Sequence, residues 1–435
     1  MADARVLRAD RAQLRWEVID LEALLAPDHR ARLVWSFVER LDLGDLYEAI
    51  GSREGEAGRP AADPAVLMAL WLYATIEGVG SARELSRLVE RDIAYRWLAG
   101  GVPVNYHGLA DFRVLHEAVL DRLLSASVTA LIAERLVSLD EIALDGTKVR
   151  ASAGRGSYAT SGKLARIEAA VAGRIEALKQ ELESDPEASS RRKRAARERA
   201  AREIQDRAAK ARVALERLQA EKERRKRTHP KDEAKKKAEA EVSTTDPEAR
   251  RMRFADGAVR AGYNIQVAAD SESGLVVGVS ATDRRNDSGL ARPMVDDLAR
   301  RYGRTPGRLL VDTHYVKRAD VTALAKHEKG AVAVYAPLPA ERDASALKPA
   351  SRLARAYRRT REPETVKDWR SRMESPDGQA IYRRRKRIEL VHAQQKNRGF
   401  DRINVRGLLK ARAIALWHAL AHNLMVAHHL RSASA

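Results

Sequence analysis

The segment Tyr382–Lys396, YRRRKRIELVHAQQK, decides what the rest of the chain must build around it. Read as a helix turning about 100° per residue, it brings Tyr382, Arg385, Glu389 and Lys396 within a ~60° arc. One face then carries a phenol, two cations and a single acid. A solvated helix has little use for one carboxylate set among Arg and Lys, although in so basic a chain Arg385 and Lys396 alone mean little. A site that grips a polyanion and offers a hard oxygen to a metal uses all four.

Such a site needs further carboxylates, and two apolar runs end in or near one. Glu141–Val149, EIALDGTKV, places Asp145 after Ile142, Ala143 and Leu144. Taken alone, the Asp145-Gly146 pair reads as a turn. Arg308–Asp312, RLLVD, is short enough for a buried strand that terminates in a carboxylate. Asp287, in RRNDSG, competes with Asp312, although it is equally suited to capping the helix that follows.

Composition points to the same class of partner. The 435 residues hold 80 Lys and Arg against 61 Asp and Glu, a net charge of +19 with pI near 10.1. That excess predicts an anionic polymer, nucleic acid before membrane. The longest apolar run, Pro64 to Ile76, has the length of a buried helix and is too short to span a bilayer. There is no apolar signal core in MADARVLRADRAQLRWEVID, and no Cys for disulfides, thiolate zinc sites or a cysteine nucleophile. A cytoplasmic protein is expected. No Ser/His/Asp arrangement or Gly-rich phosphate loop stands out.

The N-terminal part reads as helices. Asp63-Pro64 opens one that ends at Gly78 and Gly80, and Ser81 with Glu84 reads as a capping box for the next. Arg83, Arg87 and Arg91 form a stripe on that second helix, so the pair is compatible with a helix-turn-helix reading DNA, with a plain solvent face as the alternative. A further helix is expected at about 108–136. Residues 160–240 repeat apolar positions at three and four, with SDPEASS at 184–190 as the break, and predict an antiparallel helical hairpin whose basic stretch reaches Lys237. The RKRTHPKDEAKKK segment reads as a break, and a Pro-rich basic connection is expected at about 337–378. The last helix, at about 405–430, is expected to bury Leu409, Leu416, Leu420 and Leu424. His418 and His422 are spaced i, i+4, but no third metal ligand accompanies them.

The spacing Tyr382, two residues, Arg385, three, Glu389, six, Lys396 resembles the Y-R-E-K signature of DDE transposases of the bacterial IS4 and IS5 group. The whole chain most resembles IS1182-type members: GVGSARELSRLVERDIAYRWLAG with NYHGLADFR, DGT at 145–147, STTDPEARRM at 243–252, GYNIQ at 262–266, and AHNL at 421–424. It departs from the family where His314 replaces the usual Gly in DTHY, and in the early position of the helical insertion.

The resemblance implies catalytic and metal-binding Asp145, Asp312 and Glu389. These would hold two Mg²⁺, with Mn²⁺ as the alternative, while Tyr382, Arg385 and Lys396 contact DNA. It implies strand cleavage at transposon ends, strand transfer to target DNA, double-stranded DNA as partner at both steps, a homodimer or higher assembly, and a bacterial, nucleoid-associated setting. The order three strands, helix, strand, helix, strand, helix predicts an α/β chain with an RNase H-like catalytic domain and a mixed five-stranded sheet. Expected boundaries are 1–137 for an all-α DNA-binding domain, 138–158 and 243–435 for the catalytic domain, and 159–242 for the inserted hairpin. Two other readings use the same sequence. One is a catalytically silent, domesticated DNA-binding regulator, which would have no need of three acids. The other is a coiled-coil scaffold, which would not need strands around each acid.

Overall fold

A computed structural model describes residues 20–52, 60–184, 188–228, 239–338 and 359–434. The N-terminal start, the centre of SDPEASS, most of RKRTHPKDEAKKK and much of the Pro-rich connection lie outside them.

Seven helices come first: α1 Arg30–Val38, α2 Gly44–Glu48, α3 Pro64–Ile76, α4 Ala82–Arg91, α5 Ile93–Ala99, α6 Tyr106–Leu115 and α7 Glu117–Ala133. The Asp63 carboxylate accepts from the Ala65 N–H at 2.8 Å, Pro64 opens α3, and nearly every α3 residue is buried. A helix apolar on all sides belongs in a core. The Ser81 hydroxyl accepts from Glu84 N–H at 3.4 Å to start α4. The single helix expected at 108–136 is two, because His116 (φ −107°, ψ 38°) leaves helical geometry between α6 and α7.

The sheet follows. Its strands are β1 Glu141–Arg150, β4 Arg250–Arg253, β5 Val259–Asp270, β6 Val276–Thr282, β7 Arg308–Leu310 and β8 Ala333–Tyr335. β5 lies antiparallel to β1, β4 and β6, whereas β7 runs parallel to both β1 and β8. Between β6 and β8 come α10 Ala291–Tyr302, before β7, and α11 Arg318–Ala325, after it. The expected five strands are six: β4 pairs with the first residues of β5, holding Met252 at 1% exposure. Gly262 admits this close approach, since a Cβ there would lie 2.8 Å from the Phe254 ring and from the Val149 carbonyl oxygen.

Asp145 and Gly146 form no turn. They sit within β1 opposite Val267 and Gln266, because the apolar run before them is buried between β5 and β7.

After β1, β2 Tyr158–Ala159 and β3 Val242–Ser243 pair at the base of two long helices, α8 Ser161–Ser184 and α9 Ala188–Thr228. Leu164 packs with Ala208, Ala211 and Leu215, and Ile175 and Leu178 with Ala201. Later positions of α8 therefore meet earlier positions of α9.

The chain closes with α12 Glu364–Glu374, α13 Pro376–Arg383, α14 Lys386–Asn397 and α15 Leu408–Ser434. α15 packs on α3, α6, α7 and β6, so one core runs from the N-terminal helices into the sheet. Leu416, Leu420 and Leu424 are buried as expected. Leu409, in the first turn of α15, is 63% exposed and does not join them. His422 shares its imidazole Nε2 with the Gly274 carbonyl at 2.9 Å, and His418 stacks near Phe400. Neither belongs to a metal-binding group among the described residues.

Candidate active site

Strand alternation sends the Asp145 side chain to one side of β1 and leaves the Gly146 side bare. α14 packs against β1, and its N-terminal approach is tightened. The N–H groups of Arg384, Arg385, Arg387 and Ile388 each bond three residues back, which separates α13 from α14. Tyr382 and Glu389 therefore sit on two helices, and the one continuous helix expected over 382–396 is corrected. The tight turn lets Arg384 reach Glu141 at 3.4 Å while Arg385 reaches Asp145 at 3.6 Å.

Arg385 is the hub. Its Nη2 donates to Glu389 at 2.9 Å, its guanidinium lies 6.0 Å from the Tyr382 ring centroid, and Asp312 also acts on it. Burial works against its charge, but Asp145, Tyr382, Glu389 and Asp312 raise its pKa. Acids from β1 and α14 thus pair with one cation, and Asp312, in the loop after β7, adds to its electrostatics.

The other acid is held differently. Asp287 Oδ1 accepts from Asn264 Nδ2 at 2.7 Å and Gln266 Nε2 at 2.8 Å, two buried amides on β5. A Cβ on Gly146 would fall 2.3 Å from that oxygen, so Gly146 makes the space Asp287 fills. Tyr315 donates its hydroxyl to Gln266 Oε1 at 2.7 Å, and Gly289 N–H bonds the Tyr315 carbonyl at 3.0 Å. The loops carrying Asp287 and Asp312 are thereby tied together.

Burial pushes the Asp145 carboxyl up to about 6, with Asp287 and Asp312 adding to the rise while Arg385 and the Gly146 N–H oppose it. His392 of α14 lies with Nε2 3.8 Å from Asp145. Burial, Lys396 and Arg385 push it down to about 3 against the Asp145 backbone, which raises it, so it is neutral at neutral pH.

The remaining expected DNA contacts lie elsewhere. Lys396 is exposed at the far end of α14. Arg83, Arg87 and Arg91 are exposed on α4, where Arg83 stacks 5.1 Å over Tyr106 and Arg87 pairs with Glu84 at 3.3 Å. Asn264, Gln266, Tyr315 and His392 went unread in the sequence. The signal for the first two was two amides at alternate positions of an otherwise apolar strand, GYNIQVAAD, which can only face a polar site.

Two family models match the chain: "Transposase DDE domain" over residues 227–424 and "Transposase domain (DUF772)" over residues 19–115. The chain belongs to the DDE transposases. The pairing of these two domains is typical of IS1182-type members. No curated protein and no solved structure matches. The DDE match covers Asp287, Asp312 and Glu389 of the transposase but begins after β1. Asp145 reaches them only through the sheet, where β1 enters between β5 and β7 with α8 and α9 looped out behind it.

DDE transposase domains generally use divalent metals. Among the described residues of the transposase, no three His, Asp or Glu side chains are gathered closely enough to hold an ion. The donor set suits one chemically. The pKa of Asp145 is raised first by burial and then by Asp287 and Asp312, and Arg385 opposes the rise, so hard carboxylate oxygens of the kind such an ion takes lie in its surroundings. No helix among the described residues is long and apolar enough to cross a membrane.

Proposed function

We propose that the chain cleaves DNA strands at transposon ends and transfers them to target DNA by a cut-and-paste route. The catalytic domain in this reading is RNase H-like. Support comes from the sheet order β6-β5-β1-β7-β8, with β1, β7 and β8 parallel and β5 reversed against its neighbours. Asp145, Asp312 and Glu389 would hold Mg²⁺, or Mn²⁺, as a pair of ions. Bound there, such ions activate the attacking oxygen and stabilise the leaving one.

The chain's own side chains do the rest. Arg385 pairs Asp145 and Glu389 in the free protein, and on DNA its guanidinium exchanges carboxylate for phosphate, which frees both acids. Tyr382 borders the scissile strand beside it, and Lys396 adds a phosphate contact further along α14. Asp287 positions rather than ligates in this reading, because its Oδ1 is committed to the Asn264 and Gln266 amides; both Asp287 and Asp312 act on Asp145. Residues 1–137 contact the ends through Arg83, Arg87 and Arg91, α8 and α9 form an inserted hairpin, and two or more copies act on paired ends.

One observation carries the reading: Arg385 pairs with Asp145 of β1 at 3.6 Å and with Glu389 of α14 at 2.9 Å. A Mg²⁺-dependent cleavage assay on duplex DNA bearing the flanking inverted repeats tests it. Wild type should cut at the ends, and Asp145→Asn, Asp312→Asn and Glu389→Gln should each lose roughly 10³-fold or more. Asp312→Asn that still cuts, beside Asp287→Asn that does not, reverses the assignment of the second acid. Wild type that binds the ends but leaves them intact with either metal makes the chain a silent DNA-binding regulator.

A further inference from the structure

A second concentration of charge lies where the N-terminal helices meet α15. Arg113, near the end of α6, is 8% exposed. Its guanidinium covers the Trp71 ring at 4.5 Å, Nη1 donates to the Gly80 carbonyl, and Nε has no partner among the described residues. No carboxylate among the described residues pairs with it. Arg398, just after α14, is half-buried, and its Nη1 has no partner among the described residues. The acid that acts on it, Glu77, is engaged by Arg30 at 3.2 Å. His418 approaches both arginines. Burial first, then those two charges, hold it down at about 3, so it brings no charge of its own.

These groups line a cleft of about 30 Å³ together with Gly78, Gly80 and Arg402. Glycine makes the seam close enough. Gly78 (φ +75°) and Gly399 (φ +84°) face each other, and a Cβ on Gly78 would stand 3.7 Å from the Arg398 backbone.

A buried guanidinium without a counter-ion is costly, and a second one beside it adds to the cost. Burial lowers Arg113 only to about 10, so it remains charged at neutral pH. What completes the cleft is therefore an anion. Its volume takes two or three water-sized groups. That suits the non-bridging oxygens of one phosphate and is too small for a base or a nucleotide. The mouth is marked by exposed Arg402, which bridges to Arg150 at the end of β1. Arg150 lies five residues beyond Asp145, about 16 Å of extended strand. A duplex seated at the acidic centre passes within that reach.

We propose that the cleft between Arg113 and Arg398 binds a single phosphate group, supplied by the backbone of the DNA engaged at the acidic centre. The source of the phosphate rests on the DNA reading above, whereas the phosphate chemistry of the cleft does not.

Two measurements on the full chain test it: thermal melting in sodium phosphate against chloride at matched ionic strength, and the salt dependence of binding to a mixed-sequence duplex. Phosphate should raise the wild-type Tm by a few degrees beyond chloride, and Arg398→Gln should abolish the gain. The same variant should flatten the slope of log Kobs against log salt by about 0.9, the value of one phosphate contact. Arg113→Gln should do both where it folds, but Arg398, being half-buried, decides the matter alone. A folded Arg398→Gln with wild-type phosphate response and wild-type slope overturns the proposal. A phosphate response that depends on Arg398 without any change in slope assigns the cleft to free phosphate and overturns its place on the DNA path. Wild type that binds no duplex defeats the DNA reading, and the phosphate response then still decides the cleft.

Discussion

The acidic centre and the long helices α8 and α9 are built from the same charged residue types and use them to opposite effect. On α9, Arg202 pairs with Glu198 and Arg207 with Glu203 at 2.6 Å, one turn apart with a partner in water. At Arg385 the pair with Glu389 is again one turn apart, with Glu389 55% exposed, but the other pair crosses to β1, where the Asp145 side chain is 22% exposed. Coulomb energy scales inversely with the local dielectric, so the same pair is worth a few tenths of a kcal/mol on α9 and several times that beside β1. Sequence shows where the charges are, and burial decides which of them matter.

The sharpest way to break this contrast is Asp145→Asn. Cleavage should fall by roughly 10³-fold or more. Metal-free protein at neutral pH should meanwhile gain ~1–3 kcal/mol, because a carboxylate held in a poorly solvated place is replaced by a neutral amide. Denaturant unfolding of the metal-free variant beside wild type checks the gain, and a variant less stable than wild type would mean that the Arg385 pair outweighs desolvation.

Titration sharpens the same point. The carboxyl of Asp145 rises from 3.8 to about 6 in the fold. Between those values the folded chain keeps a proton that the unfolded chain has released, so this group's contribution to stability falls as pH rises through the window, by roughly 3 kcal/mol at most. Unfolding free energies of wild type between pH 4 and 7 should carry that falling component, and Asp145→Asn should lack it. Cleavage should decline on acidification, since a proton on Asp145 competes with the metal for the same oxygens.

Gly146→Ala comes next. The added methyl meets Asp287 Oδ1 at 2.3 Å, Gln266 Nε2 at 2.5 Å and Asn264 Oδ1 at 2.7 Å, and displacing that network should cost ~1–3 kcal/mol. Cleavage should drop with it, since the loop holding Asp312 is tied to this network through Tyr315. Tyr315→Phe leaves Gln266 Oε1 unpaired and should cost about 1–2 kcal/mol by the same assays.

Gly146 also shows where sequence reading ran out. The apolar runs before Asp145 and Asp312 announced strands that end in acids, and the element order followed from them. Whether Asp145-Gly146 turned or ran straight depended on β5 and β7 arriving from residues far along the chain, and no local pattern encodes that. The break between α13 and α14 escaped for the same reason: it lies where Arg384 and Arg385 pair with Glu141 and Asp145 of β1. Asn264 and Gln266 were legible as polar positions in a buried strand, but their partner Asp287 was not. Leu409 failed because periodicity names a face without saying where the neighbouring helix ends.

The smallest effect is expected on α9, where the pair stays within one helix and Glu203 is 67% exposed. Arg207→Ala removes a pair at 2.6 Å, closer than anything Arg385 makes with Asp145, yet it should alter stability by no more than about 0.5 kcal/mol and fade with added salt. Arg217→Ala should cost more, about 1 kcal/mol, because its partner Asp283 is 13% exposed and would be left to Arg250, at 3.8 Å. That pair joins α9 to the loop running from β6 to Asp287, so the second variant should also lower cleavage while the first leaves it alone. Equal losses from the two variants, read by denaturant unfolding at low and high salt, would show that proximity rather than desolvation sets the value of a charge pair in this chain.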